Sequence, residues 1–201
     1  MRKQFGNTLF LEASYFDFRL KNAIVRSLND AGQEFFSNAG ATVQKGLEVL
    51  MESKKFVVQN DVLQYFRLRM SGSFYRFRFA DYRQDGQDFS GNAITGVPAR
   101  SISALLQLGF KKGLAVDFSH YYTSGFPLND AGSTWSQESL VANLQLKFPV
   151  VFKRFSLQAY LQVQNLYNSE YVLGFDTNAL GGRYYNPAAN RQVMVGISTI
   201  L

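Results

Sequence analysis

A two-residue rhythm of apolar side chains constrains this chain more than any other feature. From Phe155 to Leu166, the residues Phe155, Leu157, Ala159, Leu161 and Val163 alternate with Ser156, Gln158, Tyr160, Gln162 and Gln164. Between Leu140 and Phe148, the residues Leu140, Ala142, Leu144, Leu146 and Phe148 oppose Val141, Asn143, Gln145 and Lys147. Successive side chains of a strand point to opposite faces, so each segment has one greasy face and one more polar face. The split recurs at Ile102, Ala104, Leu106, Leu108 and Phe110, and at Leu114, Val116 and Phe118. It recurs again at Phe66, Leu68, Met70 and Phe74, facing Arg67, Arg69, Ser71 and Ser73. Less regular copies lie near 8–28 (Leu9, Leu11, Ala13, Tyr15), near 33–52 (Leu47, Val49, Met51) and near 191–201 (Val193, Val195, Ile197). The reading is eight strands.

Strand length separates a membrane wall from a soluble sheet. Crossing the hydrocarbon takes about 9–11 residues of tilted strand, whereas globular strands average about 5–6. Most of these segments meet the longer figure. The chain is 46% hydrophobic and 15% aromatic, yet its mean hydropathy is −0.13, so apolar and polar residues are finely interleaved. No run approaches the roughly 18 consecutive apolar residues of a membrane-spanning helix. Any span is therefore β. The fold class expected is all-β, an antiparallel transmembrane β-barrel segment.

The connections supply a second clue. Short or moderate links fall near 52–61, at Lys111-Lys112-Gly113 and near 149–154, while long ones occupy about 80–96, 124–135 and 167–190. Asn29-Asp30-Ala31-Gly32 reads as a tight turn on the long-loop side. Outer-membrane barrels have short periplasmic turns and long extracellular loops, which places the last strand's end at the periplasmic side. The polar face then looks into the lumen, with Glu48, Arg67, Arg69, Asp117 and Lys147 on it. Two other architectures share the alternation: a complete eight-stranded barrel with a structural or adhesive role, in which strand 8–28 pairs with 191–201, and a soluble lipocalin-like ligand carrier.

Several function classes find no support. Net charge is +6, but the basic residues are scattered apart from Arg67/Arg69 and Arg76/Arg78, and the aromatic signatures of RNA-binding sheets are missing, so no nucleic-acid partner is expected. Cysteine is absent and His120 is the sole histidine, on the parity of Phe118 and Tyr122, which suits an aromatic belt and offers no metal site. The carboxylates Glu12, Glu48, Asp117 and Glu138 are spread over different strands, and Gly181-Gly182 and Gly109 with Gly113 lack the lysine of a phosphate loop. No enzyme, catalytic residue or cofactor is expected. Met1-Arg2-Lys3-Gln4-Phe5-Gly6 carries two positive charges with no apolar leader core behind them, so the chain reads as part of a longer protein.

Particular stretches resemble the C-terminal barrel region of TonB-dependent receptors. They are Leu11-Glu12-Ala13-Ser14-Tyr15-Phe16, Asn38-Ala39-Gly40 with Gly46-Leu47-Glu48, Val97-Pro98 ahead of a strand, and Asn165-Leu166-Tyr167-Asn168 with Tyr171. Tyr184-Tyr185-Asn186-Pro187 and Arg191 then precede the final strand. Each also has a local reading: Gly46 marks a bulge or a close approach, Pro98 needs no ladder donor at a strand's start, and Asn165 and Asn168 favour the turn that ends a strand. The departure is Leu201, where such barrels commonly end on an aromatic residue.

The resemblance implies a protein of the Gram-negative outer membrane that takes up ferric siderophores or similar scarce nutrients. Its barrels enclose a plug and have about 22 strands. Residues 1–201 then correspond to the C-terminal part, with the plug, the TonB-contacting segment and earlier strands outside the chain. Outer-membrane lipid and lipopolysaccharide become partners, and TonB is reached through the plug region. Ligand selection is expected from Phe126 and Trp135 in one outer loop and Phe175, Arg183, Tyr184 and Tyr185 in another, because aromatics and arginine suit a bulky anionic chelate. Arg76 and Arg78 continue the parity of Phe66, Leu68, Met70 and Phe74 beyond the apolar band. With no bulge at Ser71-Gly72-Ser73, both point outward toward lipopolysaccharide phosphates, and Tyr75, Phe77 and Phe79 face the lumen.

Overall fold

The computed structural model describes residues 1–6, 8–22, 24–28, 33–38, 40–58, 62–84, 86–152 and 156–199. Their strands are β1 (Arg2–Phe5), β2 (Leu9–Lys21), β3 (Ile24–Leu28), β4 (Glu34–Asn38), β5 (Ala41–Ser53), β6 (Phe56–Val57), β7 (Leu63–Asp81) and β8 (Arg83–Gln84). There follow β9 (Gln87–Asp88), β10 (Arg100–Phe110), β11 (Ala115–Thr123), β12 (Ser139–Val151), β13 (Ser156–Gln164), β14 (Val172–Phe175), β15 (Tyr185–Pro187) and β16 (Gln192–Thr199). The main sheet runs β1-β2-β5-β7-β10-β11-β12-β13-β16, with β6 on β7 beside that path. Every pairing is antiparallel, so the wall is an up-and-down meander in chain order. The ribbons β3–β4, β8–β9 and β14–β15 stand at its loop end.

Nine strands lie on the main path, where the sequence reads about eight. The addition is β1, whose four residues are too short to show an alternation. The two long segments expected near 8–28 and 33–52 are each broken. Asn22 (φ 55) and Gly40 (φ 64) take left-handed conformations that end the main ladder, and β3 and β4 continue as a separate ribbon. The turn expected at Asn29–Gly32 lies outside the described residues, as do Phe155 and Leu201. In the other direction, β7 runs nineteen residues, well past Phe74, because backbone pairing continues where the apolar rhythm gives way to arginine. The links expected near 52–61 and 124–135 and at Lys111–Gly113 occur. The last is a 3-10 turn closed by Lys112 (φ 64) and Gly113 (φ 81).

The face assignments follow from register. Leu108, Leu106, Ala104 and Ile102 of β10 stand opposite Phe66, Leu68, Met70 and Gly72 of β7, and opposite Val116, Phe118, His120 and Tyr122 of β11. This greasy face is uncovered: Val193, Val195 and Ile197 of β16 are 62%, 77% and 69% exposed. Among the described residues the buried hydrophobics are Ala41, Phe79, Tyr82, Phe126, Leu128 and Ala142, all but the last at the loop end. A soluble carrier would instead bury its greasy face around a ligand. Apolar rows of this extent call for a hydrocarbon solvent.

The sheet is open, since its path ends at β1 on one side and β16 on the other. Strand β2 pairs with β1 and β5, not with β16, so the pairing that would mark a complete small barrel is absent among the described residues.

Candidate functional site

The inner face is shaped by aromatic rings lying on glycines. Tyr65 covers Gly109 across the β7–β10 ladder, Tyr160 covers Gly196 across β13–β16, and Phe16 with Tyr75 covers Gly46 from both sides of β5. A Cβ at Gly109 would fall 1.9 Å from Tyr65, at Gly196 2.3 Å from Tyr160, and at Gly46 2.4 Å from Phe16. Register is unbroken through Gly46, so its role is close approach and not a bulge. Such ring-on-glycine pairs help to fix the register of adjacent strands.

Between these rings the expected inward polar residues find partners. Lys147 Nζ donates to Asp117 Oδ2 at 2.6 Å, and Gln107 Nε2 donates to Asp117 Oδ1 at 3.1 Å, joining β10, β11 and β12. Arg67 pairs with Glu52. Tyr75 Oη donates to Glu48 Oε1 at 2.5 Å. Arg69 stands opposite Glu52 on one side and Leu105 on the other, and is exposed. The inner face is thus cross-linked by charge-assisted hydrogen bonds, while the band from Phe66 to Phe74 and from Ile102 to Leu108 on the outer face is apolar.

At the loop end, three connections are tied together by one carboxylate. Asp130, 7% exposed, accepts from Tyr82 Oη at 3.1 Å, from Asn178 Nδ2 at 3.2 Å and from Thr95 Oγ1. Its backbone N–H donates to Asn178 Oδ1 at 3.0 Å, and its carbonyl accepts from Asn92 Nδ2 at 2.9 Å. Leu128 is fully buried beside this knot in sequence, and its carbonyl accepts from Asn178 N at 2.8 Å. Phe79 and Tyr82 pack with Phe89 and Ile94 below. A buried carboxylate is tolerated only when its lone pairs are filled, as these are. Sequence reasoning missed Asp130, Tyr82, Thr95 and Asn178. The long loop at about 124–135 was legible, but Asp130 lies 48 residues from both Tyr82 and Asn178, beyond any local pattern.

Beside the knot is a cleft of about 590 Å³ whose lining includes Phe126, Phe175, Tyr185, Glu138 and Glu170. Of the six expected ligand residues, four form one aromatic chain: Phe126 to Phe175 (4.8 Å between centroids), Phe175 to Tyr185 (5.9 Å) and Tyr185 to Tyr184 (6.3 Å). Trp135 stands apart, 52% exposed, its Nε1 donating to Gly132 O at 2.9 Å. Arg183 is exposed after the turn of Gly181 and Gly182 and does not line the cleft. The aromatic lining was legible in the sequence; that Glu138 and Glu170 share it was not. Asn165 and Asn168 form the expected turn, with φ 50 and 54, and Asn165 Oδ1 accepts from Ser169 N at 2.9 Å. His120 faces outward between the rings of Phe118 and Tyr167.

A meandering wall with short turns at one end, interlocked loops at the other and an uncovered apolar outer face is the wall of a transmembrane β-barrel. A family model described as TonB dependent receptor-like, beta-barrel, matches residues 2–166, and the chain belongs to that family. Its fold is similar to that of the siderophore receptor PiuA from Acinetobacter baumannii, with a TM-score of 0.70 and 17% identity over 96% of this chain and 26% of that one. The ferric yersiniabactin uptake receptor FyuA from Yersinia pestis gives 0.69 and 16%, over 98% and 28%. The FrpB iron transporter from Neisseria meningitidis gives 0.63 and 18%, over 98% and 29%. The chain therefore spans between a quarter and a third of the length of each of these structures.

Proposed function

We infer that this chain is the C-terminal wall and part of the outer cap of an energy-coupled importer in the outer membrane of a Gram-negative bacterium. The parent takes up a ferric siderophore or a comparable scarce nutrient and is driven by TonB through a plug region outside these residues. The observation that carries the reading is the pairing of a polar, cross-linked inner wall with a locked loop cap that holds an aromatic cleft. Two further points support it. Open sheet edges are not tolerated in lipid, so β1 and β16 need further strands in a membrane. The chain also matches 26% of PiuA and 28% of FyuA, both named as siderophore or ferric-siderophore receptors.

In this reading Phe126, Phe175, Tyr184 and Tyr185 present the ligand-facing aromatic surface, and Trp135 and Arg183 meet the ligand at the mouth. Rings offer large, rigid contact area to a chelate, and a guanidinium steers an anion toward them. Glu48, Arg67, Arg69, Asp117 and Lys147 line the interior. The test is growth of a strain lacking the full-length gene on a panel of ferric chelates as sole iron source. Loss of growth on one chelate, restored by the wild-type gene and weakened by Arg183→Ala with Tyr185→Ala at equal barrel abundance, is the expected result. Unchanged uptake of every iron chelate in the deletion strain would overturn the iron reading.

A further inference from the structure

The outward face carries a second feature that nutrient transport does not use. Register is continuous from Gly72 to Arg78 of β7, so Arg76 and Arg78 share the face of Phe66, Leu68, Met70 and Phe74. Across the ladder, Arg76 stands opposite Lys45, and Arg78 opposite Val43, which in turn stands opposite Arg19 of β2. Arg100 of β10 stands opposite Phe74. Five cations thus gather on the outward face just above the apolar band.

Their arrangement is costly unless something anionic sits there. Lys45 and Arg76 are like charges directly opposite, a destabilising cross-strand pair. Among the described residues, the compensation is one carboxylate, Asp17, which accepts from Lys45 Nζ at 2.7 Å. Arg19, Arg76 and Arg100 have no carboxylate within ion-pair distance among the described residues. Arg78 is steered by its Nη1, which donates to Gly91 O at 2.5 Å. Between them is a concavity of about 410 Å³ lined by Val43, Lys45, Arg76, Arg78, Phe79 and Gly91.

Directly below lies a groove of the opposite character. It measures about 470 Å³, and Val49, Met51, Met70, Gly72, Phe74 and Ile102 belong to its lining. These six residues sit on the outward parity of β5, β7 and β10, the lining continues to Lys3 and Phe5 of β1, and Gly72 opens the floor between Val49 and Phe74. From Gly72 to Arg76 is four residues of strand, about 13 Å. An apolar groove capped by a multivalent cationic concavity at that spacing fits an amphiphile with acyl chains below and more than one phosphate above.

We propose that this outward face is a binding site for one molecule of lipopolysaccharide in the outer leaflet. Its phosphates are held by Arg76, Arg78, Lys45, Arg19 and Arg100, and one acyl chain lies in the Gly72 groove. Guanidiniums match phosphate oxygens in planar, two-point fashion, and lipid excludes the water that would otherwise screen the contact. The apolar groove distinguishes this site from a general attraction for anions.

The full-length protein, extracted in mild detergent, is compared with Arg76→Gln/Arg78→Gln and with Lys111→Gln/Lys112→Gln at the opposite end of the barrel. Retained lipopolysaccharide is measured by mass spectrometry of the intact complex, and folding by heat-dependent gel mobility. Each lost guanidinium is expected to weaken retention roughly tenfold. Wild type and the turn variant should therefore hold one molecule and the β7 variant almost none, with all three equally folded. Phosphatidylglycerol, with one phosphate, should fail to replace it on the wild type. Equal retention by the β7 variant, or equal occupancy by phosphatidylglycerol, would overturn the proposal. If the β7 variant fails to fold, Arg100→Gln combined with Arg19→Gln decides by the same readout.

Discussion

The strand wall and the loop cap are stabilised by different physics. In the wall, backbone ladders carry the structure, side chains interact mainly with their cross-strand neighbours, and almost nothing is buried. In the cap, Phe79, Tyr82, Phe126 and Leu128 are buried with Asp130, and three chain segments depend on one carboxylate. A wall of this kind takes its remaining stabilisation from lipid on one face, whereas the cap is a small water-soluble core built on its end. The comparison teaches that a local defect should matter less in the wall than in the cap, because three segments of the cap meet at one buried carboxylate.

The sharpest way to break this contrast is Asp130→Ala. Removing the carboxylate takes away the acceptor that Tyr82, Asn178 and Thr95 share, and should lower the local stability of the cap by about 3 kcal/mol. Hydrogen exchange should rise across 82–99, 124–138 and 165–191 while β10 to β13 stay protected; exchange spreading through the strands would erase the distinction. Asp130→Asn keeps one acceptor oxygen and should fall between the two.

Next in size is Gly109→Ala. Its Cβ meets the Tyr65 ring at 1.9 Å, so the ring must leave the wall, at about 1–3 kcal/mol. The loss should appear as a lower unfolding temperature of the full-length barrel and should be largely relieved in a Tyr65→Ser background. A loss of equal size in that background would show that the glycine matters for its backbone and not for the ring.

Smaller again is Lys147→Met. The Lys147–Asp117 pair is part-buried, its side chains 31% and 19% exposed, and its loss should cost about 1 kcal/mol after solvent screening. Asp117 keeps its hydrogen bond from Gln107, so Gln107→Met combined with Lys147→Met should cost more than the sum of the single changes. Strict additivity would mean that the three groups do not act as a network.

The smallest effect is acid loosening of the β8–β9 ribbon. Asp88 is held below its ordinary 3.8 by hydrogen bonds from Ser90, side chain first and backbone N–H second, with Arg83 adding its charge. The folded value is the lower one, so the contribution is complete above about 3.8 and is lost as pH falls through the depressed value. Amide shifts of Arg83–Asp88 should stay constant from neutral pH to near 4 and move only below it. Ser90→Ala should raise the midpoint toward 3.8, and an unmoved midpoint would remove Ser90 as the cause.

The wall was legible in the sequence because its organising signal is local. Alternation at Leu140–Phe148 or Ile102–Phe110 reports directly which side chains face lipid, and register only had to keep that order. Where local signal failed, so did the reading. Strand β1 is too short to alternate, the upper half of β7 carries arginines where a greasy rhythm would be sought, and Asn22 and Gly40 break the ladder by single left-handed residues. The cap was legible only as a set of aromatic loops. Which rings meet, and that Asp130 joins Tyr82 to Asn178, depends on where three distant turns converge.

The central claim is that the greasy face meets lipid and the polar face lines an aqueous interior. These 201 residues have no cysteine, so a single cysteine placed among them is unique there once any cysteine elsewhere in the full-length protein is replaced by serine. In the full-length protein, reconstituted in bilayers, a fluorophore at Leu106, Leu144 or Val195 should be quenched by nitroxide-bearing lipids and be insensitive to iodide. At Gln145 or Gln162, which face each other across β12 and β13, the order should reverse. Iodide quenching at Leu106, Leu144 and Val195 with lipid quenching at Gln145 and Gln162 would contradict the account.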